Sequence, residues 1–233
     1  MMIYRHLEEL DLAVRVASHA VCAGRVQGEE RLARHLYQRW YAGSAAAVAP
    51  SLPTRTWQAW SPHWSDEMTD RGSDLVRLYL SCEEENAARV VALVTATAMS
   101  WQEPWRFTSV TATGGVSRPD STVLYLPIDS LGRQRFEVQT LLTRLRPLLG
   151  VRTPAFTLRV APGAALAQNP TDGRSFGEHR CGLVARAVAS SKGLPHREQV
   201  TRATYAFADA GVDPERPYRE NCRGTWDQPW RSY

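Results

Sequence analysis

The sequence predicts an α+β protein built on a ferredoxin-like core, with helices before and after it. From Asp74 onward, segments in which apolar and polar residues alternate, as in strands, are mixed with segments of helical periodicity. Their order along the chain is β-α-β-β-α-β, which is the order of a ferredoxin-like arrangement. At 233 residues the chain can bury one sizeable core. We therefore expect one domain over 1–233 in three parts: a helical, tryptophan-rich part (1–73), the α/β core (74–161) and a helical part with a tail (162–233).

The N-terminal part combines two helices with an aromatic connector. Periodic apolar residues predict helices over 3–22 and 29–42. The connector, 50–73, is rich in proline and contains Trp57, Trp60 and Trp64, which are too many aromatic residues for a disordered linker. We expect a packed irregular segment, because tryptophan more often fills a core than binds a ligand. A surface that docks a partner is the alternative.

The core segments follow one another closely. Alternation predicts four strands, and helical periodicity predicts two helices, the first with acidic residues in its first turn, where the helix dipole favours them. Gly-Gly and Pro in "TGGVSRPD" suit a connection between the second and third strands. The strands are expected in 75–82, 105–112, 121–128 and 154–160, and the helices in 83–99 and 131–149.

The C-terminal part opens with a helix whose start can be recognised. Ser175 and Glu178 have the spacing of a capping box, in which each side chain satisfies a free backbone N–H of the first turn. A last helix is expected over 195–210, ended by Gly211. The tail from Pro217 onward is expected to be irregular.

The helix start at Ser175 carries charges that a helix start does not favour. His179 and Arg180 lie in the first turn and Arg174 just before it, although the N-terminus of a helix is the positive end of its dipole and attracts anions. Free N–H groups and guanidinium forks together suit a phosphate, and an imidazole can move a proton near neutral pH. The alternative is that Arg180 pairs with a neighbouring carboxylate and that His179 faces solvent.

Composition argues against several classes of function. Lys192 is the only lysine, so lysine-based chemistry is disfavoured while phosphate-binding guanidinium groups are abundant. The chain has no arginine-rich run with interleaved aromatic residues, so the sequence does not indicate nucleic-acid binding. No segment has the features of a membrane span or a signal peptide, so we expect a cytoplasmic protein without membrane contact.

The sequence also lacks the common site motifs. The four cysteines are scattered and indicate neither a zinc site nor a disulfide framework. Nucleotide-binding and metalloprotease motifs are missing.

Several fragments, in matching order, resemble one known family. They are "LYQRWY", "GSDLVRLYL", "RPDSTVLYLP", "PAFTLRVAPGAALAQNP", "SFGEHRCGLVARAV" and "GVDPERPY". The chain resembles the HopA-type effector domain family, which includes a type III secreted effector of plant pathogens. The same domain occurs as a stand-alone protein in class V lanthipeptide and thioamitide pathways.

This resemblance implies an activity. Biosynthetic members act as lyases after an aminoglycoside-phosphotransferase-like kinase has phosphorylated Ser or Thr in a precursor peptide. They eliminate the phosphate and leave dehydroalanine or dehydrobutyrine. The resemblance implies the phosphorylated precursor peptide and the kinase as partners, and no cofactor or metal in the lyase itself.

The resemblance also implies roles for individual residues. Three residues would be catalytic. They are His179 and Tyr125, which would transfer protons, and Asp120, which would orient an arginine. The phosphate-binding group would be Arg77, Arg118, Arg180 and Arg174. For Tyr125 a core role is the alternative, because its strand is largely apolar.

Two positions depart from the family pattern. Ser109 stands where the family suggests a lysine, and Gln168 where it suggests an acidic residue. Lys192 cannot replace that lysine from the same helix as His179, because it is about 20 Å farther along the axis. The alternative to a lyase is therefore a catalytically degenerate partner that binds the phosphopeptide or activates the kinase. A secreted effector is expected least, because few residues precede the first helix.

Overall fold

The computed structural model describes residues 2–41, 56–70, 74–110, 118–220 and 226–230. Within them, the helices in chain order are α1 (Met2–Cys22), α2 (Glu29–Leu36), α3 (Asp66–Asp70), α4 (Glu84–Ala98), α5 (Ile128–Arg133), α6 (Arg135–Leu145), α7 (Phe176–Ser190) and α8 (His196–Asp209). The strands are β1 (Thr56–Trp60), β2 (Leu75–Leu80), β3 (Arg106–Val110), β4 (Thr122–Pro127), β5 (Leu158–Ala161) and β6 (Ala164–Gln168). A π-helical turn, Tyr37–Tyr41, continues α2, and a 3-10 turn covers Gln228–Trp230.

The chain divides into two compact units, each considered by itself below. The first consists of Met1–Val48 and Gly173–Arg223, and the second of Ala49–Asp172 and Gly224–Tyr233. The first is therefore helical and is drawn from two distant parts of the sequence, whereas the second contains the sheet. The single domain expected over 1–233 stays a prediction.

In the first unit, α7 is the central helix. It contacts α1, α2 and α8, and most of its residues are buried, including the small Gly177 and Gly182. The missing side chain at Gly177 lets the rings of Tyr37 and Tyr41 approach the helix, since a Cβ there would lie 2.6 Å from Cε2 of Tyr37. The helix is thus built to be enclosed on several sides.

The second unit is organised by an antiparallel sheet of order β1-β3-β4-β2-β6-β5. On one face, alternate residues are apolar and fully buried: Val76, Leu78 and Leu80 on β2, Phe107 on β3, and Leu124 and Leu126 on β4. The other face carries Arg77 and Tyr79 of β2 and Tyr125 of β4, at the intervening positions. This second face holds the arginine and tyrosine residues of the candidate site considered below.

The α+β class is confirmed, but the ferredoxin-like arrangement is not. The four expected strands are present as β2, β3, β4 and β5, and the two expected helices lie between them. However, β6 lies between β2 and β5, and the helix expected over 131–149 is divided into α5 and α6 at Gln134. With β1 and β6, the sheet contains two strands more than predicted.

The aromatic connector is ordered where the structure describes it. Contrary to the irregular segment expected there, Thr56–Trp60 forms edge strand β1. The Trp57 ring meets the Phe107 ring edge-on at 5.7 Å between centroids, whereas Trp60 is 58% exposed. Of the expected connector, 50–55 and 71–73 lie outside the described residues, as do 113–117 of the "TGGVSRPD" connection.

Candidate functional site

Three polar side chains form a row across the second unit's sheet. Arg106 of β3 pairs with Tyr125 of β4, and Tyr125 pairs with Arg77 of β2. Directly paired residues of an antiparallel sheet have side chains on the same face. The three adjacent strands therefore present two guanidinium groups with a phenol between them.

Arg77 is held within this row by its neighbours. Its Nε donates to Oδ1 of Asn169 at 2.5 Å, and its guanidinium carbon is 5.4 Å from the centroid of the Tyr125 ring. The Asn169 backbone N–H in turn donates to the Leu75 carbonyl at 2.8 Å. Because two partners fix the guanidinium, it is oriented before any ligand binds.

Tyr79 lies two residues farther along the same strand and on the same face. Its phenol is buried, and burial raises its pKa above the ordinary value, while the charge and hydrogen bond of Arg77 oppose this shift. The nearby Asp120 carboxylate acts in the same direction as burial. The phenol is thus held neutral beside Arg77 and can donate a hydrogen bond at neutral pH.

Arg118 and Asp120 form a two-point ion pair in the turn that precedes β4. Arg118 Nε donates to Oδ1 of Asp120 at 3.0 Å, and its Nη2 donates to Oδ2 at 2.9 Å. The carboxylate is nearly buried, whereas the guanidinium is partly exposed. The pair therefore leaves a fixed cation at the surface of the turn, which is the arrangement expected if Asp120 orients Arg118.

The two positions that depart from the family pattern lie on the opposite face of the sheet. Ser109 pairs with Thr122, in phase with the buried Phe107, and Gln168 pairs with Val76. Neither side chain therefore shares a face with Arg77 and Tyr125. A lysine at 109 would project to the apolar side of the sheet.

In the first unit, the expected helix start is confirmed. The Glu178 backbone N–H donates to the Ser175 hydroxyl at 3.3 Å, and the Ser175 N–H donates to Glu178 Oε2 at 3.2 Å, which completes the capping box. Arg174 is exposed, but its Nη1 lies 3.2 Å from the point where a Cβ on Gly182 would stand. The Arg174 side chain thus extends along the helix as far as Gly182.

Arg180 is completely buried in the first unit, with an exposure of 0%. Its Nε donates to the Pro217 carbonyl at 2.8 Å, and its guanidinium carbon is 4.7 Å from the Phe176 ring centroid. Oε1 of the buried Glu220 is 4.0 Å from Nη1. The first-turn cation therefore has a carboxylate of its own chain nearby.

His179 is held by that arginine. Nη1 of Arg180 contacts Nδ1 of His179, and the ring is only 5% exposed, so it does not face solvent. A guanidinium only donates hydrogen bonds. Nδ1 must therefore accept, and a neutral His179 carries its proton on Nε2.

The predicted site residues thus fall into two groups. Arg77, Arg118, Asp120 and Tyr125 belong to the second unit, and Arg174, His179 and Arg180 belong to the first. Within the second unit, Arg77 and Tyr125 are in contact, as are Arg118 and Asp120. Their functional roles stay predictions.

Sequence reasoning missed three members of the polar face: Arg106, Tyr79 and Asn169. The first two alternate with apolar residues in "WRFTSV" and "LVRLYL", a signal that places them on the polar face of their strands. Asn169 offered no such signal, because β6 itself was not predicted.

The described part of the chain contains no helix long and apolar enough to cross a membrane. Among the same residues, no group of three or more His, Cys, Asp or Glu side chains is placed to hold a metal ion.

Comparison with known proteins identifies relatives by sequence pattern and by fold. The model of the HopA1 effector protein family matches residues 63–219. The effector protein structure from Pseudomonas syringae pv. syringae strain 61 has a TM-score of 0.60 at 14% identity, over 93% of this chain and 98% of that one. The effector protein structure from Pseudomonas syringae pv. tomato strain DC3000 has a TM-score of 0.55 at 13% identity, over 93% and 82%. The chain matches no curated protein sequence.

Proposed function

The chain belongs to the HopA1 effector protein family, and from that premise we propose that it is a phosphoserine/phosphothreonine lyase. Its substrate would be a precursor peptide phosphorylated by a partner kinase, and its product a dehydroalanine or dehydrobutyrine residue in a ribosomally made peptide. The observation that carries the proposal is the row Arg106–Tyr125–Arg77, in which a phenol lies between two cations on one face of the sheet.

The proposed reaction is a β-elimination. A base takes the α-proton, the electrons of that C–H bond form the Cα=Cβ double bond, and the Cβ–O bond breaks. The phosphate leaves with the electrons of that bond and is protonated. The reaction therefore needs cations for the phosphate, a base for carbon and an acid for the leaving oxygen.

In the second unit we assign the cations and one proton-transfer group. Arg77 is already oriented by Asn169 and Arg118 by Asp120, so each can bind phosphate oxygens with little loss of side-chain entropy. Tyr125 is the candidate for proton transfer, because its ring contacts the Arg77 guanidinium.

In the first unit, His179 stays the candidate for proton transfer. With Nδ1 occupied by Arg180, Nε2 is the ring nitrogen that can exchange a proton or donate a hydrogen bond. Arg180 is buried among groups of its own unit, so we assign it to positioning the imidazole. The exposed Arg174 stays a candidate for phosphate contact.

Arginine side chains can supply the cations that the leaving phosphate needs, so we propose that the lyase itself uses no cofactor. Its substrate contains a phosphate ester that another enzyme must install. An aminoglycoside-phosphotransferase-like kinase is therefore the proposed partner, and the phosphorylated precursor peptide the proposed ligand.

Secreted effector function is the second candidate. It is supported by the family match and by the two structural neighbours, both of which are effector proteins. A third candidate is a phosphopeptide-binding or kinase-activating protein without elimination activity, motivated by Ser109 and Gln168 at the departing positions. These two candidates share the domain with the lyase but predict no dehydrated product.

One experiment separates the lyase from its rivals. The purified chain is incubated with phosphothreonine and phosphoserine peptides, alone and with an aminoglycoside-phosphotransferase-like kinase, and the products are examined by mass spectrometry. Loss of phosphoric acid that is abolished in Arg77→Gln but retained in Arg89→Gln, an exposed arginine on α4, supports the lyase. Binding without elimination under all conditions favours the degenerate partner, and neither binding nor elimination favours the effector.

A further inference from the structure

A cationic pocket lies in the first unit, where the loop that follows α1 meets one face of α2. It has a volume of about 310 Å³, and its polar lining residues are Arg25, Gln27, Arg31, Arg34, His35 and Gln38. Among the described residues that line it, none is acidic. All of them belong to the first unit, and none is assigned to the elimination.

α2 and the π-helical turn after it supply four of these side chains, which are Arg31, Arg34, His35 and Gln38. Their spacing of three, four and seven residues places them on one face of the helix. Leu32 and Leu36 are buried on another face, so packing holds the helix while this face stays accessible. The two arginines on it are exposed.

The loop contributes Arg25 from a fixed backbone position. Gly24 adopts a φ of 67°, and its N–H donates to the Val21 carbonyl at 3.1 Å. The Arg25 N–H donates to the Ala20 carbonyl at 3.1 Å. These two hydrogen bonds form a Schellman motif, which ends α1. The backbone of Arg25 is therefore held at the edge of the pocket, while its side chain is exposed.

Within the described residues, the three arginines of the pocket form no ion pair with a carboxylate. Glu29, in the first turn of α2, pairs with Arg186 of α7 at 3.2 Å. Glu30 stands four residues before Arg34 but does not line the pocket. The pocket therefore concentrates positive charge that the described residues around it do not neutralise.

The pKa of His35 reflects this charge. Burial lowers it below the ordinary value, and the charges of Arg39 and Arg25 lower it further. The imidazole is therefore neutral at neutral pH and can donate one hydrogen bond from its ring N–H. An anion bound between the arginines would offset the repulsion that these charges create.

We propose that this pocket binds a phosphate group, carried by a phosphorylated side chain or by free polyphosphate. Each guanidinium can donate two hydrogen bonds to a pair of phosphate oxygens, and the amides of Gln27 and Gln38 provide further donors. A phosphate ester carries about two negative charges at neutral pH, more than a carboxylate does, so it matches the unpaired arginines better. The proposal does not rest on lyase activity, because no residue of the pocket takes part in the proposed elimination.

The test uses the full chain and two phosphate probes, inorganic tripolyphosphate and a phosphothreonine peptide, in isothermal titration calorimetry. All variants are made in the Arg77→Gln background, in which the phosphate contact proposed for the elimination is removed. Arg31→Gln and Arg34→Gln should each weaken binding roughly tenfold or more, because each removes charge-assisted hydrogen bonds. Arg197→Gln, the matched change at an exposed arginine on α8, should leave the affinity unchanged.

Nuclear magnetic resonance locates the site. The imidazole signals of His35, identified by their absence from His35→Gln, should shift when tripolyphosphate is added. Tighter binding of the phosphothreonine peptide would identify a phosphorylated side chain as the ligand, and tighter binding of tripolyphosphate would identify free polyphosphate.

Four results would overturn the proposal. They are equal binding of a peptide with glutamate in place of phosphothreonine, unshifted His35 signals, full affinity of Arg31→Gln and Arg34→Gln, and an affinity for both probes weaker than about 1 mM. Any of them would leave these arginines as an ordinary solvated surface.

Discussion

Ser109 and Thr122 face each other across β3 and β4, with their hydroxyl oxygens 2.9 Å apart. Ser109 is 1% exposed and belongs to the same face as Phe107. The hydroxyl pair therefore fills a site on the apolar side of the sheet. A base that acts together with Arg77 and Tyr125 would have to lie on their polar face of the sheet, which the side chain at position 109 does not share. The serine at that position therefore does not decide whether this chain catalyses elimination.

The first prediction is that a lysine at position 109 will not create or improve elimination activity. Ser109→Lys should lower the free energy of unfolding, because it breaks the buried hydroxyl pair with Thr122 and puts a long side chain on the apolar side of the sheet. Thr108→Lys, one residue away and half-exposed on the polar face, should be tolerated far better. Urea denaturation and a phosphopeptide assay of both variants measure this, and a gain of activity in Ser109→Lys alone would contradict it.

The second prediction concerns the buried pair Arg180 and Glu220. Arg180→Met removes a fully buried cation from the Pro217 carbonyl, from His179 and from the vicinity of Glu220, and it should lower the free energy of unfolding by about 3–5 kcal/mol. Arg186→Met, on the same helix but in an exposed pair with Glu29, should cost at most about 1 kcal/mol. Chemical denaturation gives both values, and equal losses would show that burial does not set the cost.

The third prediction tests the close approach of two rings to α7. Gly177→Ala forces a methyl group against Tyr37 and Tyr41 and should destabilise the protein by about 1–3 kcal/mol. Gly132→Ala is the control, because nothing lies within 4 Å of the added carbon. That change should be neutral or stabilising by up to about 1 kcal/mol. Thermal melts compare them, and a stable Gly177→Ala variant would refute the packing described for α7.

The fourth prediction concerns the fixed orientation of Arg77. Arg77→Lys keeps the charge but loses the Nε hydrogen bond to Asn169 and the planar contact with Tyr125. If the chain is a lyase, kcat/KM for a phosphopeptide should fall roughly 100-fold, while Arg89→Lys should leave it unchanged. Steady-state kinetics provide the measurement, and full activity of Arg77→Lys would remove Arg77 from the phosphate site.

The fifth prediction is a pH dependence of stability. Hydrogen bonds from Arg133 and Ser130 lower the pKa of Glu103 from 4.5 to about 2, so its contribution is complete above pH 4.5 and disappears as the pH falls through about 2. The stability difference between the wild type and Glu103→Gln should shrink over that range. It should be small throughout, because the partner Arg133 is exposed. Denaturation midpoints measured from pH 7 down to about pH 2 test this prediction. The double variant Glu103→Gln/Arg133→Gln, compared with the two single variants, gives the contribution of the ion pair itself.

The helices that sequence predicts best are those with local signals. The capping box of Ser175 and Glu178 places the start of α7, and Gly211, with φ of 73°, follows the end of α8. The strand β6 escaped prediction because "AALAQ" contains mostly alanine, which does not favour strands. Its five residues are all buried, so its position between β2 and β5 determines its conformation.

The candidate site was predictable by residue type but not by arrangement. Alternation in "LVRLYL" and "STVLYLP" puts Arg77 and Tyr125 on one face of their own strands. Which residues stand opposite depends on strand register, which a single sequence does not give. Because the register was not known, Arg106 was not recognised as the neighbour of Tyr125. The register of the paired strands is also what shows that Ser109 and Arg77 lie on opposite faces of the sheet.

The first unit is built from two segments that are far apart in the sequence, and this affects how the chain folds while it is being synthesised. During translation α1 and α2 are made early, whereas α7 and α8 follow only after 49–172 has been completed. Leu10 and Leu32, both buried in the finished fold, have no central helix to cover them during that interval. All six strands of the sheet, by contrast, come from the continuous stretch Ala49–Asp172 and can pair meanwhile. The newly made N-terminal helices are thus the part of the chain most exposed to aggregation, and the part that a chaperone would protect.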